Sequence, residues 1–146
     1  MHELDYVCHC DDGTQPEAYK FAELMKYVRE ALYMMRIDFF GAPKLAGHMR
    51  DAGFVNVTQR VLKLPIGGWA QNQLLRKAGE YYQAVVLDGL QGIAMRPLTK
   101  LLGWSAESVE VYLPSVRKDI KDPSIHSYMK VYVVYAQKPL APGEGN

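Results

Sequence analysis

The pattern of apolar and polar positions is most distinctive near the end of the chain, at residues 128–139 (YMKVYVVYAQKP). Apolar side chains occupy both of the faces that this run would present as a β-strand, whereas a strand with one solvated face alternates apolar with polar residues. Lys138 and Pro139 end the run, because proline cannot donate a hydrogen bond to a ladder. The pattern predicts a central strand covered on both sides, within a domain of helix, sheet and helix layers.

The rest of the chain is an alternation of strand and helix patterns. Residues 4–10 (LDYVCHC) and 54–64 (FVNVTQRVLKL) are rich in strand formers. Thr14 is predicted to cap a long helix whose apolar stripe runs from Phe21 to Phe39 at spacings of three and four. Further helices are expected at about 43–52, at 74–95 with burial on more than one side, and from the cap Ser105 to about 121. The predicted order is strand, two helices, strand, two or three helices, strand.

Length and composition are those of one ordinary domain. The chain has 146 residues, of which 49% are apolar and 23% are charged, enough to bury a substantial core. We expect a single domain at 1–139 and a flexible tail at 140–146, because the tail is rich in proline and glycine. The predicted fold class is α+β: helix-rich, with helices packed on a small three-stranded mixed sheet.

The charge pattern argues against several partners. The formal net charge is +1 and the charges are mixed along the chain, whereas nucleic-acid binding requires a basic stripe. No apolar run approaches the roughly 20 residues of a membrane span, and no basic and then apolar leader opens the sequence. We therefore expect a cytoplasmic protein that neither spans a membrane nor binds nucleic acid.

The two cysteines, Cys8 and Cys10, flank His9. A metal site could combine both thiols with His2, but no second cysteine group or spaced histidine pair follows in the sequence. The spacing therefore favours buried structural thiols, and no metal is expected.

Short segments in a fixed order resemble the carboxyl half of the fungal LaeA-like (UMTA-type) class I S-adenosylmethionine-dependent methyltransferases. The matching segments are DDGT at 11–14, AGFVNV at 52–57, KLPIGGW at 63–69, LGWS ending at Ser105, VRKDIKDP at 116–123, IHSY at 125–128 and YVVYAQKP at 132–139. The resemblance implies a truncated, half Rossmann-like methyltransferase fold in which the last strand inserts antiparallel between its neighbours.

The same resemblance has a consequence for the cofactor. Members of this family hold S-adenosylmethionine in an amino-terminal half with a Gly-rich loop and an acidic residue, and no segment of this sequence matches that half. The only Gly-Gly pair, Gly67 and Gly68, lies in the substrate-facing half. The resemblance therefore implies a chain that binds no cofactor.

Candidate site residues come from a concentration of aromatic and methionine side chains, which can line an apolar small-molecule site, although core packing is the commoner role of any one of them. Trp69 is distinctive because it follows the glycine pair, which either permits close approach to a ligand or marks a plain loop. His9 lies near the end of the first strand, where open α/β sheets bind ligands, although a structural histidine with one bonded ring nitrogen is the favoured interpretation. His126 is expected to be structural. The candidates for catalysis are His9, Tyr33, Trp69 and Tyr82, and those for substrate binding are Tyr33, Met34, Phe39, Trp69, Tyr81, Tyr82, Met95 and Trp104.

Three functions are compatible with these features. The first is a cofactor-independent enzyme of fungal secondary metabolism that binds a hydrophobic polyketide or terpenoid and promotes an intramolecular cyclisation, such as a Diels–Alder cycloaddition, or an isomerisation. The second is a small-molecule methyltransferase or a subunit of one, and the third is a non-catalytic regulatory or binding module. The sequence favours the first, because the segments that match the family include none from its cofactor-binding half.

The first strand should also leave an unpaired sheet edge. In the family a further strand pairs with it, and an unprotected edge invites pairing with another chain. We therefore expect a homodimer, formed either edge to edge or through helix faces.

Overall fold

The computed structural model describes residues 1–140, so the predicted tail at 140–146 lies outside the described residues except for Leu140. Three strands and four α-helices alternate along the chain in the predicted order. The strands are β1 (His2–Leu4), β2 (Val55–Pro65) and β3 (Tyr128–Gln137), and the helices are α1 (Lys20–Met34), α2 (Leu45–Asp51), α3 (Gln73–Arg96) and α4 (Ala106–Lys121). A 3-10 turn (Ala42–Lys44) precedes α2, and a π-helical turn (Pro97–Leu101) follows α3.

The sheet has the order β1-β3-β2, so the last strand is central, as its sequence predicts. Both pairings are antiparallel, with Leu4 opposite Val131 and Val61 opposite Tyr132. The prediction of a mixed sheet is therefore wrong: β3 is antiparallel to both of its neighbours, and β1 and β2 do not pair with each other. Together with the helices, the sheet forms the predicted α+β fold.

The prediction that β3 is buried on both faces is confirmed only in part. Tyr128 and Met129 are buried at its start and Val134 is buried further along, whereas Tyr135 is 49% exposed. The start of the strand is therefore covered, and its last three residues, from Tyr135, are more exposed.

The first strand is much shorter than the predicted 4–10. It ends at Leu4, and the pairing continues only with a backbone bond from the Asp5 N–H to the Lys130 carbonyl oxygen at 3.1 Å and an isolated bridge between His9 and Tyr128. Tyr6 has φ +50°, which is incompatible with a strand. The buried Asp5 carboxylate accepts hydrogen bonds from the backbone N–H groups of Val7 and Lys130, both at 3.2 Å, so that the Lys130 N–H bonds to a side chain instead of a backbone carbonyl.

Helix α1 begins at Lys20 instead of following a cap at Thr14. The Thr14 hydroxyl is used elsewhere: it accepts from the His126 backbone N–H at 2.9 Å. A carboxylate from another helix takes the place of the cap, since Asp119 Oδ2 accepts from the Lys20 N–H at 2.6 Å.

The main core lies where α1, α3 and α4 meet the start of β3. The predicted stripe of α1 is confirmed over its first three turns and fails afterwards, since Met35 is 53% exposed. Helix α3 also departs from prediction: Tyr81 and Val85 are exposed, so only one side of this helix is buried. The most completely buried core side chains are Tyr19, Phe21, Leu24, Leu90, Leu98, Val109, Leu113, Val116, Ile120 and Met129.

Within the described 140 residues, no helix combines the length and the apolar character that crossing a membrane requires.

Candidate functional site

A mainly apolar cavity of about 340 Å³ lies between α1, α3 and the segment after β1. Its volume is in the range of pockets that hold small molecules. The α1 residues on its wall include Met25 and Val28, and the α3 residues include Tyr82, Val86 and Ile93. We call this space the apolar cavity.

Residues from the irregular segments close one side of the apolar cavity. The rings of Tyr6 and Phe39 lie 4.7 Å apart, centroid to centroid. Arg29 Nη1 donates to the Tyr6 carbonyl oxygen at 2.6 Å, which holds the segment after β1 against α1. The guanidinium retains further N–H donors beside this apolar surface.

Tyr82 is the one residue with a polar side-chain group among the α3 residues that line the apolar cavity. Its hydroxyl donates to Met129 Sδ at 3.0 Å, and a thioether sulfur is a weak acceptor. Burial raises the pKa of Tyr82 well above its ordinary value, so the hydroxyl stays protonated at neutral pH. It can therefore donate a hydrogen bond to a ligand but cannot act as a base.

A second, shallower groove lies across the end of α3 and the end of α1, next to the apolar cavity. Leu32, Met35, Met95, Pro97 and Lys100 line it, and its volume is about 910 Å³. The groove is more open than the apolar cavity, and it is there that Met95 lies.

A polar cluster lies at the carboxyl end of β2 and the beginning of β3, where the predicted strand at 4–10 would have ended. Its members are Asp11, Asp12, Trp69, His126 and Tyr128, around a small cavity of about 90 Å³. We call them the Asp-His cluster.

The first half of the Asp-His cluster is a hydrogen-bonded pair. His126 Nδ1 lies 2.6 Å from Asp12 Oδ2, and the imidazole stacks on the Trp69 indole with centroids 5.1 Å apart. The hydrogen bond from His126, followed by those from Thr14 and Cys10, lowers the pKa of Asp12 well below its usual range. The Asp12 carboxylate is therefore ionised throughout the physiological range.

The second half is organised by Asp11. Its carboxylate accepts from the Tyr128 hydroxyl at 2.7 Å and is paired with Lys63. His9 stacks on Tyr128 with ring centroids 5.5 Å apart, and its Nε2 lies 2.8 Å from the buried Asp5. The negative charge of Asp11 is thus compensated by its neighbours.

The structure distributes the predicted site residues over several places. Phe39 and Tyr82 line the apolar cavity, and Trp69 belongs to the Asp-His cluster. Trp104 packs edge to face on Tyr27 and Tyr112, away from both sites. The fold does not bring the eight candidate substrate-binding residues together. Tyr33, Met34 and Tyr81 are more than half exposed and line neither site.

Sequence reasoning missed Tyr6, Arg29, Asp12 and His126. Arg29 lies on the side of α1 that its pattern assigns to solvent, and Asp12 and His126 are 114 positions apart. The sequence signal for the last two was the pair of segments DDGT and IHSY, whose members meet in the Asp-His cluster.

No group of three His, Cys, Asp or Glu side chains suited to a metal ion occurs in residues 1–140. Cys8 and Cys10 are free thiols. Burial raises the pKa of Cys8 to about 12, so the thiol stays protonated at neutral pH and is a poor metal ligand.

Curated fungal proteins are similar to the chain over nearly all of its length. "Probable methyltransferase tdiE" of Emericella nidulans is 31% identical over 143 residues, which cover 98% of this chain and 45% of that protein. "Methyltransferase pytC" of Aspergillus terreus is 28% identical over 95% of this chain and 43% of its own length. "Secondary metabolism regulator laeA" of Aspergillus fumigatus is 22% identical over 95% of this chain and 37% of its own.

No family model and no solved structure matches the chain. The chain spans less than half the length of the curated relatives that it matches. The predicted resemblance to part of a LaeA-like methyltransferase is confirmed by these relatives.

Proposed function

We propose that this homologue of fungal LaeA-like and methyltransferase proteins binds a hydrophobic small molecule of secondary metabolism in the apolar cavity. The observation that supports the proposal most directly is the cavity itself, about 340 Å³ in volume and walled by apolar side chains of α1 and α3. Three of the lining residues, Tyr6, Arg29 and Tyr82, carry polar side-chain groups. Such a site suits a mainly hydrocarbon ligand with one or two oxygen atoms.

For the reaction, we propose a cofactor-independent intramolecular cyclisation, such as a Diels–Alder cycloaddition, or an isomerisation. Holding the two ends of a flexible ligand at reacting distance can contribute about 7–11 kcal/mol in the most favourable cases. A hydrogen bond from the protonated Tyr82 hydroxyl to a ligand carbonyl would withdraw electron density from the reacting double bond. The weak Met129 Sδ acceptor leaves this hydroxyl available for the ligand.

Methyl transfer is the alternative that the similar proteins favour, since tdiE and pytC both carry methyltransferase in their names. It would use S-adenosylmethionine and place a nucleophilic atom of the same hydrophobic ligand towards the methyl group. The name of laeA, a secondary metabolism regulator, favours a third, non-catalytic role.

Ligand binding in the apolar cavity is tested with anilinonaphthalene sulfonate, an apolar fluorophore whose sulfonate can pair with Arg29. Ile93→Trp would fill the cavity from its rim, because Ile93 is 37% exposed and lines the wall. Val111→Trp is the matched control, since Val111 is 74% exposed on α4 and lies outside the cavity. We expect saturable binding that Ile93→Trp weakens at least tenfold and Val111→Trp retains; equal affinity in both variants contradicts the proposal.

The choice between reactions is tested by calorimetric titration with S-adenosylmethionine and with its demethylated product. Saturable binding would support methyl transfer and overturn the cofactor-independent reaction. A melting scan gives an independent check, because a ligand at a hundredfold excess over Kd stabilises the folded state by about 2.7 kcal/mol. If neither compound binds, the cofactor-independent cyclisation retains its support.

We also propose that the chain forms a homodimer. Strand β1 is an edge of the sheet and pairs only on its β3 side within the described chain, and β2 leaves Val61 and Leu62 about half exposed at the other edge. Both edge strands present backbone N–H and C=O groups that could pair with a second copy of the chain. Sedimentation equilibrium at micromolar concentration should give twice the chain mass, and a monomer would end the proposal.

A further inference from the structure

The imidazole of His126 has the surroundings of a proton acceptor. Its Nδ1 faces Asp12 Oδ2 at 2.6 Å, and a carboxylate at this distance fixes the tautomer that carries the proton on Nδ1. The other nitrogen, Nε2, then presents a lone pair. It has no hydrogen-bond partner in the described part of the chain, and the side chain is 35% exposed.

Hydrogen bonds from two distant segments hold this pair in place. The His126 backbone N–H donates to Thr14 Oγ1 at 2.9 Å, and the Thr14 hydroxyl donates to Asp12 Oδ1 at 2.8 Å. The Thr14 hydroxyl thus bridges the His126 backbone and the Asp12 carboxylate. The pair is fixed in the orientation that a base requires before any ligand arrives.

Trp69 provides a flat apolar surface at the same place. Its indole Nε1 donates to the Ser127 carbonyl oxygen at 3.0 Å, which fixes the ring plane against the His126 imidazole. Both rings line the small cavity of about 90 Å³. A planar ligand that stacks on an aromatic ring fits this geometry.

The charges that face the imidazole come from each neighbouring segment. Asp12 is the anion in contact, Asp11 is compensated by Lys63 and Tyr128, and His9 lies beyond Tyr128. An imidazolium formed at His126 would therefore be neutralised directly by the Asp12 carboxylate.

We propose that the Asp-His cluster is a second ligand site, in which His126 accepts the proton of a phenolic or enolic hydroxyl and Trp69 binds the plane of the same ligand. The O–H bond breaks, its electron pair stays on the oxygen, and the proton forms a bond to Nε2. The products are a phenolate or enolate and an imidazolium paired with Asp12. This inference concerns different residues from the apolar cavity and does not depend on ligand binding there.

The test uses para-nitrophenol, whose protonated and ionised forms absorb differently. Bound to the unaltered chain, it should show an apparent pKa lower than in solution by one unit or more, equivalent to about a tenfold change in the proton equilibrium. His126→Gln should abolish this shift, and Trp69→Ala should weaken binding at least fivefold. His48→Gln is the matched control, because His48 lies on α2 outside the Asp-His cluster.

Asp12 is a positioning residue in this proposal, and Asp12→Asn separates that role from simple support of the fold. A folded variant, checked by circular dichroism, should still bind para-nitrophenol but shift its pKa less, because an amide neither fixes the tautomer nor balances the imidazolium. Nitrogen NMR of the unaltered chain should show His126 protonated at Nδ1 and unprotonated at Nε2. No binding of the probe, the same pKa shift in His126→Gln, or the opposite tautomer would each overturn the proposal.

Discussion

The backbone N–H of Gly67 donates to the carbonyl oxygen of Gly79 at 3.2 Å. The loop that follows β2 therefore lies directly on the backbone of α3, with no side chain between them. Gly67 has φ +95°, a backbone conformation that residues with a side chain rarely adopt, and Gly79 is buried within the helix. This contact aligns α3 with the end of the sheet, next to Trp69.

Gly79→Ala should destabilise the chain although alanine is the better helix former. The added Cβ would lie 2.2 Å from the Gly67 carbonyl oxygen, a backbone atom that can move only with its loop. We expect a loss of about 1–3 kcal/mol in the free energy of unfolding. Urea denaturation provides the measurement.

The matched control is Gly92→Ala in the same helix. Nothing lies within 4 Å of a Cβ added there, so helix propensity alone should act and stabilise the chain by up to about 1 kcal/mol. Equal effects from both alanines would contradict the close contact between the loop and α3.

Asp119→Ala should weaken the start of α1, although Asp119 belongs to α4. Its carboxylate accepts from the Lys20 N–H, a donor that otherwise has no partner within the helix. Loss of such a cap costs about 0.5–2 kcal/mol. Amide hydrogen exchange should quicken in the first turn of α1, and urea denaturation should show the lost stability.

Lys118→Ala serves as the control for Asp119→Ala, because Lys118 is an exposed neighbour in the same turn of α4. A surface change of this kind is expected to stay within about 0.5 kcal/mol. If α1 exchanges equally fast in both variants, the carboxylate does not cap it.

Asp12 should make the chain sensitive to acid. Its pKa is lowered in the folded chain, first by the hydrogen bond from His126 and then by those from Thr14 and Cys10. The unfolded carboxyl has a pKa of about 3.9, so the stabilisation is fully present above that pH and is lost as pH falls towards the folded value. The difference in unfolding free energy between the unaltered chain and Asp12→Asn should therefore shrink between about pH 5 and pH 2.

Asp88→Asn controls for the loss of one surface carboxylate, since Asp88 lies on an exposed position of α3. Urea midpoints at several pH values give the comparison. If the difference in unfolding free energy between Asp12→Asn and the unaltered chain stays constant over the acid range, the Asp12–His126 hydrogen bond is refuted.

Cys8 should resist alkylation in the folded chain. Burial raises its thiol pKa to about 12, and alkylation requires the thiolate. Relative to an ordinary cysteine with a pKa of about 8.5, the reactive fraction falls by more than about a thousandfold at neutral pH. Mass spectrometry after brief treatment with iodoacetamide should find Cys8 unmodified, and treatment in urea should label it fully.

Cys8→Ser identifies the site in the same experiment, because Cys10 is then the only remaining cysteine. Rapid labelling of Cys8 in the folded chain would contradict its burial against the core.

Much of the fold follows from local sequence. The alternation at 54–64 and 128–139 predicted β2 and β3, and the Ser105 cap with its apolar spacing predicted α4. These elements were predictable because side-chain period and capping act over a few residues. The order of elements and the central place of β3 were predicted as well, the latter because both of its faces are apolar.

The early elements were mispredicted, because distant groups decide them. The residues at 4–10 have strand propensity, yet the Asp5 carboxylate accepts the N–H of Lys130, 125 positions away, which would otherwise bond to the ladder. Thr14 has the sequence of a cap, yet its hydroxyl binds His126, and Asp119 caps α1 in its place. Competing hydrogen bonds from remote segments carry no local sequence signal.

By itself the sequence determined the class of fold, the order of the elements, most of their bounds and the kinship with fungal LaeA-like proteins. Only the tertiary structure decided which chemistry-bearing side chains meet. Aromatic composition predicted one group of eight side chains, and the fold separated them. It assembled instead the apolar cavity, with Arg29 and Tyr82, and the Asp-His cluster, with Asp12 and His126. The physical reason is that contact between residues a hundred positions apart depends on how helices and strands pack, and periodicity reports only which face of each element is apolar.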